Sequence, residues 1–153
     1  MLPEDPQERA RTIAAFMSRH DQLAVSFGME ILEVRPGFAR VKMKVTSSML
    51  NAVKLCHGGA IFSLADFAFA VASNSYGQVA VALSAHINYP APAKEGDELL
   101  ATAREISRTR RTGLYQVEVR RQDETLVALF TGNVFLRQDT LADWMFKNTS
   151  DDK

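Results

Sequence analysis

The sequence has little cysteine, no net charge and no long apolar segment, and each shortage narrows the possible functions. Its 153 residues include a single cysteine, so no disulfide can form within the chain. A chain without disulfides suits a reducing compartment, and we therefore expect a cytoplasmic protein. Lysine plus arginine and aspartate plus glutamate number 18 each. Because nucleic-acid-binding proteins are usually basic, this balance predicts no nucleic-acid partner.

Apolar runs are too short to form a membrane-spanning helix. The most apolar stretch, Ala60–Ala72, contains 13 residues, whereas a span needs roughly 20. The first ten residues, MLPEDPQERA, are polar and charged, unlike the apolar centre of a secretory signal peptide. We therefore expect neither a signal peptide nor a membrane partner. The length predicts a single domain over residues 1–153.

Side chains that could hold a metal ion are also scarce. The three histidines, His20, His57 and His86, lack metal-ligand spacing with each other or with Cys56. No metal is therefore expected. Cys56 adjoins His57, which invites the interpretation of a Cys–His nucleophile. Adjacent residues rarely point at each other, however, and buried cysteines are usually inert, so a structural Cys56 is favoured.

The N-terminal part of the chain predicts two helices and a hairpin. Asp5 and Pro6 have the types expected of a cap and a first helical residue, and helices are predicted over about 6–27. Residues 29–45 predict two strands joined by a turn at Pro36-Gly37. Within 38–45 apolar and basic residues alternate, which is typical of a strand with one face buried.

The part of the chain after Gly77 predicts four more strands joined by turns, and such strands should be antiparallel. They are expected near 79–89, 98–107, 114–121 and 125–136. The first of these strands should place Leu83, Ala85, Ile87 and Tyr89 on one face. Residues 138–153 predict a short docked helix with a frayed tip.

These elements predict the fold class. One sheet with a helix on one face is an α+β arrangement. A single helix would leave apolar edges of the sheet for a second copy to cover.

The stretch Ala60–Ala72 predicts a buried helix with an unusual polar residue. Every residue is apolar except Ser63 and Asp66, and a helix that is apolar all round is normally buried. An unpaired buried carboxylate costs several kcal/mol or shifts its pKa upward. The preceding His57-Gly58-Gly59 turn can expose backbone N–H groups at the positive end of the helix. Asp66 could be catalytic, or it could be a structural acid satisfied by Ser63 or a backbone donor.

The segment MLNAVKLCHGGAIFSLADFAFAVASNSYG resembles the signature of hotdog-fold acyl-CoA thioesterases, especially the phenylacetyl-CoA thioesterase type of phenylacetic acid degradation. The matching residues are Asn51, His57-Gly58-Gly59, Ser63–Asp66, Ala68–Ala70 and Asn74-Ser75. The resemblance covers roughly residues 20–137. It implies a long helix wrapped by a curved antiparallel sheet of five to six strands, with N-terminal helices at about 6–27, a core at about 28–137 and a tail at 138–153.

The same resemblance implies an activity and an assembly. The expected reaction is hydrolysis of an acyl-CoA substrate, such as phenylacetyl-CoA, to free acid and CoA, without any cofactor beyond the CoA of the substrate. The Gly58 N–H would polarise the thioester carbonyl, and Asp66 of the opposite protomer would act as general base or nucleophile. The expected assembly is a homodimer with active sites at its interface, associated further into a homotetramer as a dimer of dimers.

Four more candidate residues follow from the resemblance, together with one departure from it. Asn51 is expected to orient the water or the acyl group, and His57 to support the turn. Gly59 and Ser63 are expected to contact substrate. Some relatives carry serine or threonine one helical turn after the carboxylate to position the water. This chain has Ala70 there, so the water must be placed by another group.

Several interpretations remain open at this point. Asn51 could simply cap a loop, and Gly58 and Gly59 could be ordinary turn glycines. The basic turn at 108–111 could be solvated, or it could meet the phosphates of CoA together with Lys94. Two other functions are a hotdog hydratase or dehydratase, whose sites usually pair a histidine with the acid, and a non-enzymatic acyl-CoA-binding protein.

Overall fold

The structure, a computed structural model, describes residues 1–147. The described residues contain four α-helices: Pro6–His20 (α1), Gln22–Ser26 (α2), Gly58–Asn74 (α3) and Leu141–Lys147 (α4). Six strands are Glu30–Arg35 (β1), Phe38–Lys44 (β2), Gln78–Asn88 (β3), Glu98–Arg108 (β4), Thr112–Arg121 (β5) and Leu126–Thr140 (β6). The predicted helices and strands are confirmed, and β6 runs to Thr140, into the segment predicted as the tail. The predicted frayed tip lies outside the described residues.

Both N-terminal helices begin at aspartates whose side chains satisfy free backbone N–H groups. The Asp5 carboxylate accepts a hydrogen bond from the Glu8 N–H at 2.8 Å, as its sequence position predicted. The Asp21 carboxylate does the same for the Ala24 N–H at 2.9 Å, so α2 follows α1 after one residue. Gly28 ends this helical region with φ at +65°, a conformation that glycine adopts without strain.

A single antiparallel sheet surrounds the central helix. Its strand order is β1-β2-β4-β5-β6-β3, and every neighbouring pair is antiparallel. Helix α3 contacts all six strands. Six flat strands would span about 24 Å, more than twice the diameter of a helix of about 10 Å. The sheet must therefore curve around α3, and the predicted α+β hotdog architecture is confirmed.

Alternation along the strands builds the core between sheet and helix. In β2, Ala39, Val41 and Met43 are fully buried, as the sequence pattern predicted. The ring of Phe69 on α3 packs against Tyr115 and Phe130 of the sheet, with ring centroids 5.7 and 5.4 Å away. These contacts fix the middle of α3 against β5 and β6.

The edge strand β3 is the least covered part of the sheet. Residues 81–86 are exposed on both faces, with Val81 at 38% and Leu83 at 63% of full exposure. The pairing with β6 slips between Ala82 and Ser84. Leu83 therefore occupies a bulge and does not join Ile87 against the core, so the prediction of a common face is wrong for Leu83. A bulge is a common feature of sheet edges.

Replacing Gly132 by alanine should destabilise the fold, because the new methyl group would overlap a ring with no room to move. A Cβ atom at residue 132 would lie 2.7 Å from Cζ and 2.9 Å from Cε1 of Phe69. We expect Gly132→Ala to lower the free energy of unfolding by roughly 1–3 kcal/mol, the usual cost of overpacking. Urea denaturation measures the change. The outward-facing neighbour provides the control: Thr131→Ala should stay within about 0.5 kcal/mol. An unchanged midpoint for Gly132→Ala would contradict the packing described.

Candidate active site

Helix α3 is buried all round except along one stripe. Its residues that are not buried are Gly58, Gly59, Phe62, Ser63, Asp66 and Ala70. From Gly59 onward they recur at intervals of three or four, which places them on one helix face. Asp66 is thus half-buried rather than enclosed in the core, because the sheet leaves this stripe uncovered. The expectation of a helix buried on all sides is corrected accordingly.

The first turn of α3 leaves one backbone donor free. His57 caps the helix, and its Nδ1 accepts a hydrogen bond from the Gly59 N–H at 2.8 Å. The N–H groups of Ala60 and Ile61 both donate to the His57 carbonyl, at 3.0 and 3.3 Å. The Gly58 N–H has no acceptor among residues 1–147. It lies at the positive end of the helix macrodipole, where an oxygen carrying negative charge is stabilised.

Two hydroxyl groups hold the carbonyls of the same turn. The Ser63 Oγ donates to the Gly59 carbonyl at 2.7 Å. The Tyr89 hydroxyl donates to the Gly58 carbonyl at 2.9 Å, reaching it from the end of β3. Sequence reasoning missed Tyr89, because 31 residues separate it from Gly58 and no spacing links the two. The expected contact of Gly59 and Ser63 with substrate stays a prediction, and both lie on the open stripe.

Asn51 shapes the loop that leads into the site. Its Oδ1 accepts hydrogen bonds from the N–H groups of Val53 and Leu55, both at 3.1 Å. These two bonds support the loop-capping interpretation. The loop that they close contains Lys54, whose φ is +61°. The loop is tied to the helix cap, because the His57 N–H donates to the Met49 carbonyl at 2.7 Å. The Asn51 side-chain amide NH₂ has no partner among residues 1–147, so its expected role in orienting water stays a prediction.

Asp66 is a carboxylate without a hydrogen-bond or ion-pair partner in the described part of the chain. Burial raises its pKa above the ordinary value of 3.8, and the nearby charge of Asp21 raises the pKa further. A carboxylate with a raised pKa is a better proton acceptor at neutral pH than an ordinary one. Asp21 was not anticipated from the sequence, since its proximity to Asp66 depends on how α2 packs on α3.

Gly58 and Asp66 do not meet within one chain. They are eight residues apart on α3, which is about 12 Å along a helix axis. The N–H groups of a first helical turn point away from the rest of the helix. A carbonyl that accepts the Gly58 N–H therefore lies beyond the helix end, on the side away from Asp66 of the same chain. This separation agrees with the expectation that a partner subunit supplies the carboxylate.

Comparison with known proteins assigns the family. Residues 54–128 match the Thioesterase superfamily. Over 116 residues the chain is 45% identical to the acyl-coenzyme A thioesterase PaaI of Escherichia coli K12, covering 76% of this chain and 83% of PaaI. The chain belongs to the thioesterase superfamily. The predicted resemblance and the predicted class of enzyme, a thioester hydrolase, are confirmed over the hydratase and the non-enzymatic binder.

Two solved structures are similar to this chain over most of its length. The E. coli PaaI protein from the phenylacetic acid degradation operon superposes with a TM-score of 0.87 at 40% identity, covering 89% of this chain and 99% of that one. A Streptococcus mutans protein bound to acetyl-CoA superposes with a TM-score of 0.70 at 33% identity, covering 71% of this chain and 88% of that one.

The basic residues that could meet the phosphates of CoA lie near opposite ends of α3. Arg108 lies near the C-terminal end, where its guanidinium stacks over the Tyr76 ring at 4.1 Å from the centroid. Arg110 and Arg111 are exposed in the adjacent β4–β5 turn. Lys94 lies at the other end, because the carbonyl of its neighbour Ala93 accepts the Cys56 N–H at 2.8 Å. Within one chain, Lys94 and the arginines therefore cannot contact the same phosphate.

The described residues contain neither a cluster that could bind a metal nor a helix that could span a membrane. No three histidine, cysteine, aspartate or glutamate side chains within residues 1–147 lie close enough to hold a metal ion. No helix in that part of the chain is long and apolar enough to cross a membrane.

Cys56 is buried and free. Burial raises the pKa of its thiol to about 11, so the thiol stays protonated and unreactive.

Replacing Asp66 by asparagine should increase stability at neutral pH. The pKa of Asp66 is raised above 3.8 in the folded state. Between pH 3.8 and this folded-state pKa, the folded state therefore binds more protons than the unfolded state. The stability of the wild type falls as the pH rises through this range. The amide cannot ionise, so the advantage of Asp66→Asn should be small below pH 3.8, grow through this range and stay constant above it.

Urea denaturation at a series of pH values measures this difference, and a second aspartate supplies a control of opposite sign. The Arg121 guanidinium and Thr125 hold the pKa of Asp123 down to about 2. Asp123→Asn should therefore lose stability relative to the wild type as the pH rises from about 2 toward 3.8. A difference for Asp66→Asn that does not depend on pH would contradict the raised pKa.

Proposed function

We propose that this thioesterase hydrolyses aryl-acetyl-CoA substrates, with phenylacetyl-CoA as the leading example, to the free acid and CoA. The observation that carries the proposal is the free Gly58 N–H at the start of a buried helix. The 45% identity to an acyl-coenzyme A thioesterase supports acyl-CoA as the substrate class. The acetyl-CoA bound to a 33% identical protein supports it as well. The phenylacetic acid operon of the E. coli relative supports the aryl-acetyl group.

Thioester hydrolysis needs a base and a group that stabilises the oxyanion formed from the thioester carbonyl. In our proposal the thioester oxygen accepts the Gly58 N–H, and the positive helix end stabilises the negative charge that grows on this oxygen. Asp66 of the partner subunit takes a proton from water as the water oxygen bonds to the thioester carbon. The carbon–sulfur bond then breaks, and the proton passes to the CoA sulfur. A covalent route, in which the carboxylate itself attacks and water then cleaves the anhydride, uses the same residues.

The half-buried Phe62 supports an aryl substrate. It lies on the open stripe beside Ser63, and its ring packs edge-on against Phe130 with centroids 5.5 Å apart. Phe67 and Phe69, which are also on α3, are buried in the core. Phe62 is thus the aromatic side chain of α3 that a substrate ring could contact. Aromatic pairs in this geometry contribute about 0.5–1.5 kcal/mol beyond the area that they bury.

We propose a homodimer formed through the β3 edge, with each site shared between subunits, and a homotetramer built as a dimer of dimers. Support comes from residues 81–86, which are exposed on both faces of an edge strand. An unpaired strand edge with apolar side chains is a template for pairing with another chain. We also propose that the reaction needs no metal or redox cofactor, since the N–H donor and the carboxylate supply the chemistry. The free buried Cys56 supports a cytoplasmic location.

The proposed function is tested by a panel of acyl-CoA substrates with and without EDTA. We expect release of free CoA thiol, highest with aryl-acetyl-CoA and unaffected by EDTA. Asp66→Asn should lower kcat by roughly 10²–10⁴, the range for loss of a positioned acid–base group, and its circular dichroism should be unchanged. Asp123→Asn is the matched control, because it makes the same substitution at an exposed carboxylate that the proposed reaction does not use. Its kcat should equal that of the wild type.

Three results would count against this proposal. One is the absence of hydrolysis with every acyl-CoA tested. Another is full activity of Asp66→Asn. The third is loss of activity in EDTA that is restored by zinc.

Mixed dimers test whether the site is shared. Asp66→Asn and Gly58→Pro subunits should each be nearly inactive alone, because proline has no N–H. His57 has φ −60° and ψ +134°, which is compatible with a following proline, and proline is favoured at the first position of a helix. Gly58→Ala is the matched control, since its Cβ meets the same Tyr89 ring at 3.3 Å but its N–H remains.

Mixing the two inactive proteins should restore activity to at most about half, because one site of each heterodimer then combines a wild-type Asp66 with a wild-type Gly58 N–H. Native mass spectrometry establishes that heterodimers have formed. Heterodimers without activity would show that both groups act within one subunit. Circular dichroism and size-exclusion chromatography of Gly58→Pro precede the kinetics.

A further inference from the structure

The first turn of α3 begins with two glycines, which restrict the backbone less than other residues do. Each glycine in a helix costs about 1 kcal/mol relative to alanine, mainly through backbone freedom. Three side chains restrain this turn. His57 holds the Gly59 N–H, Ser63 holds the Gly59 carbonyl, and Tyr89 holds the Gly58 carbonyl. The two restraints on Gly59 come from the same helical segment and would move together with it.

Tyr89 differs from the other two because it comes from the sheet. It follows β3 directly and precedes Pro90, and a following proline restricts its backbone to extended conformations. Its ring also touches Gly58: a Cβ atom there would lie 3.3 Å from Cζ and 3.4 Å from the hydroxyl oxygen of Tyr89. Tyr89 thus ties Gly58 to the sheet through both its ring and its hydroxyl.

The Tyr89 hydroxyl is a donor that keeps its proton. Burial raises the pKa of this phenol above its ordinary value of 10.0, so the hydroxyl can donate at any pH at which the enzyme would work. Tyr89 is 46% exposed, so it stands at the surface beside the free Gly58 N–H. These contacts give Tyr89 a position from which it controls the orientation of the Gly58–Gly59 peptide.

We propose that Tyr89 is a positioning residue for the reaction: its hydroxyl bond to the Gly58 carbonyl, with its ring packed beside Gly58, restrains the φ and ψ angles of Gly58, so that the Gly58 N–H stays aimed at the thioester oxygen. This inference rests on the proposed function of Gly58. A misaimed donor still permits substrate binding through other contacts. A misaimed donor stabilises the transition state less than a well-aimed one does, because the negative charge on the oxygen is largest in the transition state. Loss of the hydroxyl should therefore lower kcat and leave KM nearly unchanged.

Tyr89→Phe tests this, because it removes the hydroxyl and keeps the ring. We expect kcat for phenylacetyl-CoA to fall about tenfold, the factor that the net free energy of one hydrogen bond represents. We expect KM to change less than about twofold, as uniform binding is retained. The thermal midpoint should stay that of the wild type. Hydrogen exchange followed by mass spectrometry should be faster in the peptide that contains Gly58 and Gly59.

Tyr115→Phe is the matched control. It also removes a tyrosine hydroxyl, one that donates to Glu105 at 2.9 Å, but Tyr115 is fully buried in the core. We expect its thermal midpoint to fall and its kcat to stay that of the wild type. The two variants should therefore show opposite patterns, which a general loosening of the fold could not produce.

The possible outcomes separate the positioning role of Tyr89 from the proposed function. If the wild type hydrolyses acyl-CoA and Tyr89→Phe has the same kcat, the positioning role is overturned. Equal losses of kcat in Tyr89→Phe and Tyr115→Phe overturn it too. If the wild type hydrolyses no acyl-CoA, the proposed function fails. Hydrogen exchange then still decides whether Tyr89 restrains the glycine turn: faster exchange in Tyr89→Phe supports the restraint, and unchanged exchange overturns it.

Discussion

Packing of α3 against every strand of the sheet is the constraint on which the rest of the structure depends. A helix held on so many sides cannot slide or rotate, so its first turn has one position relative to the sheet. Small residues make this enclosure possible, since Ala65, Ala68 and Ala72 are fully buried where larger side chains would push the strands away. The helix then presents the Gly58 N–H at its first turn, where the Tyr89 hydroxyl bonds to the carbonyl of the same residue. A backbone donor fixed in this way loses little by reorganisation when charge appears on its acceptor.

The open stripe on α3 reconciles a hydrophobic helix with a carboxylate. A fully enclosed and unpaired Asp66 would stay neutral, because an isolated charge in an apolar interior costs far more than its protonation. An exposed one would keep an ordinary pKa and be a weak base. Asp66 lies between these limits, since the sheet leaves its side of the helix uncovered. The same opening exposes Phe62, Ser63 and Ala70, so the carboxylate and the surface available to a substrate arise from one gap in the packing.

Local patterns predicted most of the fold, and distant contacts explain what they missed. The Asp5 cap, the alternation in β2 and the His57-Gly58-Gly59 turn each depend on residues close in sequence, and the structure has them as predicted. The stripe could also have been found, because Gly59, Ser63, Asp66 and Ala70 repeat at helical spacing. Tyr89, Asp21 and the bulge at Leu83 depend on which elements become neighbours, and no spacing in the sequence encodes that.

The two ends of α3 show where the chain keeps polar groups free. At the C-terminal end the hydroxyl groups of Tyr76 and Tyr115 both donate to Glu105, at 2.8 and 2.9 Å. The Ser75 Oγ accepts the Gly37 N–H there at 2.8 Å. These bonds join the helix end, the β1–β2 turn and β4, and they leave those groups satisfied. At the opposite end the Gly58 N–H has no acceptor within residues 1–147. Folding normally satisfies such groups, since each unmade hydrogen bond in a protected site costs about 1–3 kcal/mol. Gly58 is half-exposed in the first turn of its helix, so its N–H stays available to an acceptor that arrives from solvent.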